Sequence, residues 1–527
     1  MNKVHIELKR VQTWLFSIPR LRAMVGANTL LGETLRVELK KLMVDGNEND
    51  RWKTQAHEGD FPAASDDDPL EEHDDPRADA ALGITSRDGG HFEAYFDDEE
   101  GAEAFAREAA ALLRERLPGL QFKITAGERK DDEGEGDEST SPAFQLLGER
   151  ARFLSSDLPV LAPCSWTGRG LSSAVVEQGE DLDEVSLDAC ERHTTAKRAE
   201  EGNAEDLVTL MRRAIGSKRE LADTFEELAE SGYLAVIHAD GNGVGSALCR
   251  NPPPASRAKL HHNNRVLMRS ALKHALLQSE SLRACRNLRK HGRPREVAPL
   301  LPLMLGGDDL LVVCRADAAL PFVVDLCSKL ECLQPAGESF RLTLGIGVAI
   351  ASYSLPFHDL HEVAEQLATS AKRRVRTADG SPRVSVVDWA VSTASLAEKN
   401  LAAQRRRDWL CGPAQEPRRL SQRPLPVLAR DGGQHSLEGL LAGTRQLEGA
   451  PRSQLLYLMD QLRRGKKLAE LAFEELSPPA RRGLERAGMK SVWIEANDGG
   501  CATALLDLIE VMEIGKLGAS ERTARHE

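Results

Sequence analysis

No apolar run in this chain approaches the ~20 residues needed to cross a bilayer as a helix. The opening Met-Asn-Lys-Val-His-Ile-Glu-Leu-Lys-Arg lacks the apolar core of a secretion signal. The nine cysteines among 527 residues follow no framework spacing. A disulfide scaffold is therefore not expected, and reduced thiols in a cytoplasmic protein are. An excess of positive charge is lacking too, since the net charge is −13. The deficit is local: residues 1–140 hold 32 acidic and 18 basic side chains, and the remainder is almost balanced. Its main sources are Asp66-Asp67-Asp68, Glu71-Glu72, Asp74-Asp75 and the run Asp131 to Glu138. Blocks of this kind predict solvated loops that contribute little to a core. Local basic clusters do occur, at Arg283 to Arg295, Arg405-Arg406-Arg407 and Arg463-Arg464-Lys466-Lys467. They suit contact with RNA or nucleotide, although exposed helix faces carry the same pattern.

What is present is a chemical hairpin. Pro299-Leu300-Leu301-Pro302-Leu303-Met304-Leu305 and Leu310-Leu311-Val312-Val313-Cys314 flank Gly306-Gly307-Asp308-Asp309. Two short apolar runs around a glycine-rich break predict two buried strands and a tight turn. Adjacent carboxylates repel each other unless a cation sits between them, and hard oxygen donors suit Mg²⁺ or Mn²⁺. A solvated Asp-rich turn is the plain alternative for these four residues alone. A second stretch shifts the balance. Tyr233-Leu234-Ala235-Val236-Ile237-His238-Ala239-Asp240 predicts a strand ending in a carboxylate, and Gly241-Asn242-Gly243-Val244-Gly245 a turn into a helix from about Ser246. Backbone N–H groups at such a turn can bind phosphate. If the two strands are neighbours, Asp240, Asp308 and Asp309 form a two-metal phosphoryl-transfer site.

Downstream, Arg341 to Ile350 predicts a third strand. A helix from Leu360 to about Arg374 carries Leu360, Val363, Ala364, Leu367 and Ala371 on one face. It ends in Lys372, Arg373, Arg374 and Arg376, and Arg383 to Trp389 predicts a last strand. The order β-α-(α)-β-β-α-β-β is that of a ferredoxin-like palm. Asp-Gly-Asn-Gly, Leu-Gly-Gly-Asp-Asp, Leu-Gly-Ile-Gly-Val-Ala, Ala-Lys and Val-Val-Asp-Trp, in that order, resemble the second palm domain of the large subunit of type III CRISPR effector complexes. That family's palm makes cyclic oligoadenylates from ATP. The GGDEF-type diguanylate cyclases share the palm, but have an acidic pair followed by Phe where this chain has Asp308-Asp309-Leu310.

The resemblance and the residues together define the expectations. The fold class is α+β: two ferredoxin-like palms, a connecting partly helical region and a helical C-terminal domain. The first palm, residues 1–130, repeats the plan of the second without an acidic pair at its hairpin Arg87-Asp88-Gly89-Gly90, so it is expected to hold no metal centre. Its first helix is expected from near Ala27, carrying Leu30, Leu31, Leu35, Val37 and Leu39. In the resembling family a loop matching Gly26-Ala27-Asn28-Thr29 contacts the second nucleotide, and a helix start capped by Asn28 or Thr29 explains those residues equally well. Residues 140–228 connect, 229–392 form the second palm, 390–435 read as a linker, and 435–517 form the helical domain, with a polar tail from Gly518.

The family often has a zinc knuckle in the connecting region. Here Cys164, Cys190 and His193 remain, and Thr167 stands where a fourth ligand would be, so zinc is not expected. An HD nuclease domain is not expected either, because His73-Asp74 and His358-Asp359 lack further partners. The expected activity is a nucleotidyltransferase joining ATP, or another NTP, into cyclic or linear oligonucleotides in CRISPR-type defence. Asp240, the Gly241 carbonyl, Asp308 and Asp309 would hold two Mg²⁺ or Mn²⁺ ions. Nucleotide contacts are expected from Gly241, Asn242, Gly243, Gly245, Gly306, Gly307, Lys372, Asn28 and Thr29. Expected partners are ATP or NTP, CRISPR complex subunits and RNA, with no membrane. The other readings are a structural large subunit of an RNA-guided complex, a free-standing signal synthase, and a GGDEF-like dinucleotide cyclase.

Overall fold

The structure is a computed structural model describing residues 2–58, 61, 68–128, 144–147, 162–168, 170–178, 181–216, 219–230, 232–249, 252–290, 293–334, 340–375, 384–392, 401–413, 417–429, 435–447, 450–495 and 500–517. The expectations placed on Asp66-Asp67, on Asp131 to Glu138, on Arg376, on the side chains from Arg286 to Arg295 and on the tail from Gly518 lie outside the described residues.

The first palm opens with β1 (Asn2–Lys9), followed by α1 (Leu21–Glu33) and α2 (Leu39–Glu48). β2 (Ile84–Ser86), β3 (His91–Phe96), α3 (Glu99–Arg116), β4 (Gln121–Glu128) and β5 (Phe144–Leu147) complete it. The strands form one sheet in the order β2-β3-β1-β4-β5, with β1 antiparallel to both β3 and β4. Strand alternation turns Val4, Ile6 and Leu8 into a core shared with Phe92, Phe96, Phe105 and Ile124, and leaves Lys3, His5 and Glu7 on the other face. Asp98 caps α3 by accepting from the Gly101 N–H at 2.7 Å.

A short helix, Val11–Leu15, comes first, and the helix expected from near Ala27 differs from the expectation. It starts at Leu21, so Gly26-Ala27-Asn28-Thr29 lie inside it and cap nothing. Gly26 is there for close packing: a Cβ would stand 1.7 Å from the Arg192 carbonyl oxygen. Between α1 and α2 the backbone takes a π-helical turn, Thr34–Glu38. The extra residue rotates the apolar stripe, burying Leu35 and Leu39 and leaving Val37 42% exposed.

A connecting region follows, with the hairpin β6 (Ala174–Gln178) and β7 (Asp181–Val185), then α4 (Leu187–Glu200) and α5 (Leu207–Ile215). The next elements are β8 (Tyr233–Gly241), a short helix α6 (Val244–Cys249), the long α7 (Pro254–Ser279), β9 (Cys285–Lys290) and β10 (Arg293–Val297). Then come β11 (Leu300–Leu305), β12 (Asp309–Arg315), α8 (Ala316–Cys332), β13 (Leu344–Ser352), α9 (Phe357–Val375) and β14 (Val386–Ser392). α6 starts two residues before the expected Ser246, and helices flank β13 on both sides, one more than the sequence order contains. The chain continues through α10 (Leu401–Trp409), β15 (Leu410–Cys411), β16 (Arg418–Arg419) and β17 (Leu425–Pro426). Its last helices are α11 (Leu437–Gln446), α12 (Arg452–Arg464), α13 (Lys466–Glu474), α14 (Pro478–Arg486) and α15 (Leu505–Lys516). The second palm sheet runs β11-β12-β8-β13-β14-β17. The fold is thus α+β with two palm sheets and a helical C-terminal part. Among the described residues no helix is long and apolar enough to cross a membrane.

By compactness the chain forms two units. The first comprises 1–227, 243–273 and 284–311, and the second 228–242, 274–283 and 312–527.

In the first unit the acidic insertion is solvated only in part: Glu71, Glu72 and Asp75 are exposed, but Asp74 is not. The Asp74 side chain is fully buried, with Arg87 Nη2 at 2.6 Å, Arg265 Nε at 3.3 Å, Arg36 Nη2 at 3.7 Å and Arg269 also paired to it. Asp79 binds Arg87 Nε at 2.6 Å, and Asp68 binds Arg269 Nε at 2.6 Å. Carboxylates that composition assigned to solvent therefore neutralise four buried guanidinium groups. Stranding any of these charges would be costly, so charge pairing fixes the segment, with Leu70 buried and Phe61 packed with Ala80 and Ala258 beside it.

In the second unit the stretch read as a linker is built into the palm. β17 pairs with β14, Val387 opposite Leu425. Buried Arg423 donates from Nε to Asp507 at 2.9 Å, reaches Glu510 at 2.7 Å and lies over the Trp389 ring at 4.5 Å. A composition rich in Arg and Pro hid this, because the partners of Arg423 come from α15, far along the chain.

Candidate active site

In the second unit the Leu-Gly-Ile-Gly motif explains how Lys372 reaches Asp240. β13 runs antiparallel to β8, placing Gly345 opposite Asp240 and Gly347 opposite His238. Neither glycine has a side chain in the way of α9. A Cβ on Gly347 would stand 1.9 Å from the Ala364 carbonyl oxygen, and one on Gly345 would stand 2.4 Å from Lys372 Cγ. The helix lies flat on the strand, and the Lys372 stem crosses Gly345 to bring its ammonium onto the Asp240 carboxylate. Beside them the buried Asn242 donates from its backbone to the Thr343 carbonyl at 2.8 Å and from Nδ2 to Thr343 Oγ1 at 3.1 Å.

Two residues before Asp240, the buried His238 ring meets buried His361 of α9, with Nδ1 and Nε2 3.4 Å apart. Burial lowers both imidazoles from their ordinary value, His361 to about 3. Asp240 and Glu365 pull His238 upward against that, and Lys372 adds to the lowering. A depressed histidine contributes stability that is complete above the unfolded value of about 6.5 and is lost as pH falls through it toward the folded value. The melting temperature is expected to drop between pH 7.5 and pH 5, and His361→Gln should flatten that slope. A melting curve of the His361→Gln protein with the wild-type pH dependence would contradict the assignment.

In the first unit the Gly306-Gly307-Asp308-Asp309 turn is closed by the Gly306 N–H donating to the Asp309 carbonyl at 2.7 Å. Gly306 lies against the tip of the first palm's hairpin, where its Cβ would stand 3.3 Å from Gly89 Cα. The two tips share a cavity of about 270 Å³, lined among others by Gly306, Asp309, Asn28, Arg36, Asp88 and Gly89. Asn28 is therefore brought to the wall that holds Asp309. Thr29 is not: it is buried, and it lines a separate void of about 10 Å³ with Asp206 and Leu301. Gly243 takes a left-handed φ of 77°, the turn its sequence predicted, and Gly245 has open space around it.

Sequence reasoning missed Arg36, Asp88 and Arg265. Asp88 accepts from Arg36 Nη1 at 3.1 Å and pairs with Arg265 Nη1 at 3.1 Å. Burial pushes its carboxyl up, but Arg36, Arg265 and Arg87 outweigh that and hold it below the usual carboxylate range. The available signal was the parallel between Asp88-Gly89-Gly90 and the Gly306-Gly307-Asp308-Asp309 turn.

The residues expected at a zinc knuckle also lie in the first unit. Cys164 is buried in a small core with Val176, Val185 and Ala189, and Cys190 packs on it. His193 meets the Trp166 ring edge-on at 5.8 Å between centroids. Burial raises the Cys164 thiol, but hydrogen bonds from Thr167, Ser186 and Trp166 bring it below its ordinary value. Among the described residues, no group of three or more His, Cys, Asp or Glu side chains stands ready to hold a metal.

Residues 233–378 match the family model of the Cas10/Cmr2 second palm domain. No curated protein matches the chain. Among solved structures it is similar to Csm1 of T. onnurineus, with 11% identity over 98% of this chain and 69% of that one and a TM-score of 0.43. It is also similar to a Csm1–Csm4 cassette in complex with AMPPNP, with 11% identity, 98% and 69% coverage and a TM-score of 0.45. For a Csm1–Csm4 cassette in complex with cA4 the values are 10%, 97%, 70% and 0.40. Identities this low fix neither substrate nor partner. The match over residues 233–378 nevertheless agrees with the motifs around Asp240, Gly345 and the Gly306–Asp309 turn: this stretch of the chain carries a second palm domain of the Cas10/Cmr2 type.

Proposed function

We propose that this chain is a nucleotidyltransferase that joins ATP, or another NTP, into cyclic or linear oligonucleotides, within a CRISPR-type defence system. The observation that carries this reading is the cavity in which Gly306 and Asp309 share a wall with Asn28 and with the first palm's hairpin tip. A phosphodiester bond needs a donor triphosphate and an acceptor hydroxyl held in line with it. A cavity bounded by one active and one degenerate hairpin suits holding that second reactant.

The assignment of Asp240, Asp308, Asp309 and the Gly241 carbonyl to Mg²⁺ or Mn²⁺ rests on donor chemistry, hard oxygen ligands that these ions favour, and not on a ready-made cluster, since the described residues hold none. Two bound ions would supply activation of the attacking hydroxyl and charge neutralisation at the leaving pyrophosphate. The chain's own residues position the rest. Lys372 offers a point charge to the phosphates from its place over Gly345. The backbone from Gly241 to Gly245, turned by Gly243, presents N–H groups to a triphosphate. Asn28 and the carboxylate of Asp88 offer an amide and an acceptor to a nucleoside in the cavity.

The direct test incubates the purified chain with each NTP and Mg²⁺ or Mn²⁺ and separates the products. Oligonucleotides longer than the substrate, with pyrophosphate released, are expected. No product from any NTP, alone or with candidate CRISPR subunits and RNA, would favour the structural-subunit reading.

A further inference from the structure

The second unit carries a groove of about 720 Å³ on the outer face of α9, away from the sheet. Glu362, Glu365, Thr369 and Arg373 recur at helical spacing and form a stripe opposite the buried Leu360, Ala364 and Ala371. The far wall comes from α10 and the strands after it, through Arg406, Trp409 and Arg419. The sequence alone suited the Arg405-Arg406-Arg407 cluster to RNA or nucleotide and equally to an exposed helix face. The structure gathers two of its members here with Arg373, Arg419 and Arg423.

These arginines divide into two sets. Arg405 grips Asp388 with both Nη atoms, one at 2.6 Å, and lies 4.4 Å from the centre of the Trp409 ring. Arg423 lies 4.4 Å from the same ring and is held by Asp507 and Glu510. Those two are engaged in building the wall and fixing Trp409. Arg373 and Arg406 are exposed on it, and so is Arg419, which keeps a partner of its own. The guanidinium fork matches phosphate oxygens in pairs. The Ser370 and Thr369 hydroxyls beside Arg373 add single donors. Toward the other end of the same helix stripe, Glu362, Glu365 and Gln366 present acceptors and an amide, which suit the N–H edges of unpaired bases. An acidic peptide would satisfy the arginines and be repelled by both glutamates, whereas a nucleotide chain satisfies both ends.

We propose that this groove binds a short single-stranded oligonucleotide, its phosphates against Arg373, Arg406 and Arg419 and a base against Glu362, Glu365 and Gln366. Such binding is electrostatic at one end and tolerant of sequence at the other. The site is separate from the catalytic reading. Lys372, the neighbour of Arg373, turns to the sheet and Asp240 instead.

The test measures anisotropy of a fluorescein-labelled single-stranded RNA hexamer against the full chain at increasing salt. Wild type is expected to bind, with affinity falling steadily as salt rises. Arg373→Glu, Arg406→Glu and Arg419→Glu should each weaken binding at least about tenfold, while Arg463→Glu, outside the groove, should not. A hexamer carrying 4-thiouridine, crosslinked to wild type and mapped by mass spectrometry, should mark the walls of the groove, which keeps the test independent of how the variants fold. Asp308→Ala should bind as wild type does, separating this site from the catalytic one. Three results would each overturn the proposal: no binding by wild type at low salt, wild-type affinity in all three groove variants, or displacement of the RNA by AMPPNP with loss of binding in Asp308→Ala.

Discussion

Replacing Asp74 with alanine is expected to destabilise the first unit by about 3–5 kcal/mol, the usual cost of breaking a buried charge pair by removing one partner. The side chain has no solvent exposure, and Arg36, Arg87, Arg265 and Arg269 all converge on it. Removing it leaves four guanidinium groups, none more than 6% exposed at the side chain, with a net charge that water cannot reach. Burial alone would raise the Asp74 carboxyl, but the four arginines outweigh it and hold the carboxyl well below the usual range. A carboxylate whose folded value is depressed stabilises the fold above its unfolded value, about 3.9, and loses that contribution as pH falls through the still lower folded value. The gap in melting temperature between wild type and Asp74→Ala should therefore be widest near neutral pH and narrow in strong acid. Deleting Gly59 to Asp79 should be at least as damaging, since Asp68 and Asp79 go too. A variant that melts with wild type at pH 7 would show that water or another carboxylate replaces Asp74.

That result would also mark where the sequence was illegible. The acidic insertion has the composition of a solvated loop, and nothing local contradicts it. What fixes it are Arg36 and Arg87 together with two arginines on α7, of which Arg269 lies 201 residues beyond Asp68. Charge pairing at that separation leaves no periodicity to read. The same holds for Arg423, whose carboxylate partners follow more than eighty residues later. The second palm was legible for the opposite reason. Its site depends on local backbone requirements: a left-handed turn at Gly243, helix-to-strand contact at Gly345 and Gly347, and a tight turn at Gly306. Each demands one residue type at one position, so each shows in the sequence. Helix boundaries fell between these cases. The π-helical turn at Thr34–Glu38 changed which face of the helix expected from near Ala27 is buried, and no spacing rule announces such a turn.

Asp308→Ala is expected to lower product formation by at least about a hundredfold, equivalent to about 2.7 kcal/mol of barrier, while leaving the melting temperature close to wild type. The residue sits half-buried at the tip of a turn whose closing hydrogen bond is made by the backbone of Gly306 and Asp309, so closing the turn does not require its carboxylate. Asp240→Ala should do the same to activity for a different local reason. It removes the carboxylate that Lys372 meets in this structure and leaves that ammonium, already partly exposed, to solvent. Lys372→Ala should cost less than either aspartate, because a point charge at the phosphates assists the reaction without holding an ion. The order of effects separates the two roles: aspartate variants that lose turnover with unchanged melting, and a lysine variant whose loss is mainly in KM. Normal turnover by Asp308→Ala would remove the two-metal assignment. A Lys372→Ala protein as inactive as Asp240→Ala would instead mean that the ion pair itself, rather than a metal, organises the end of β8.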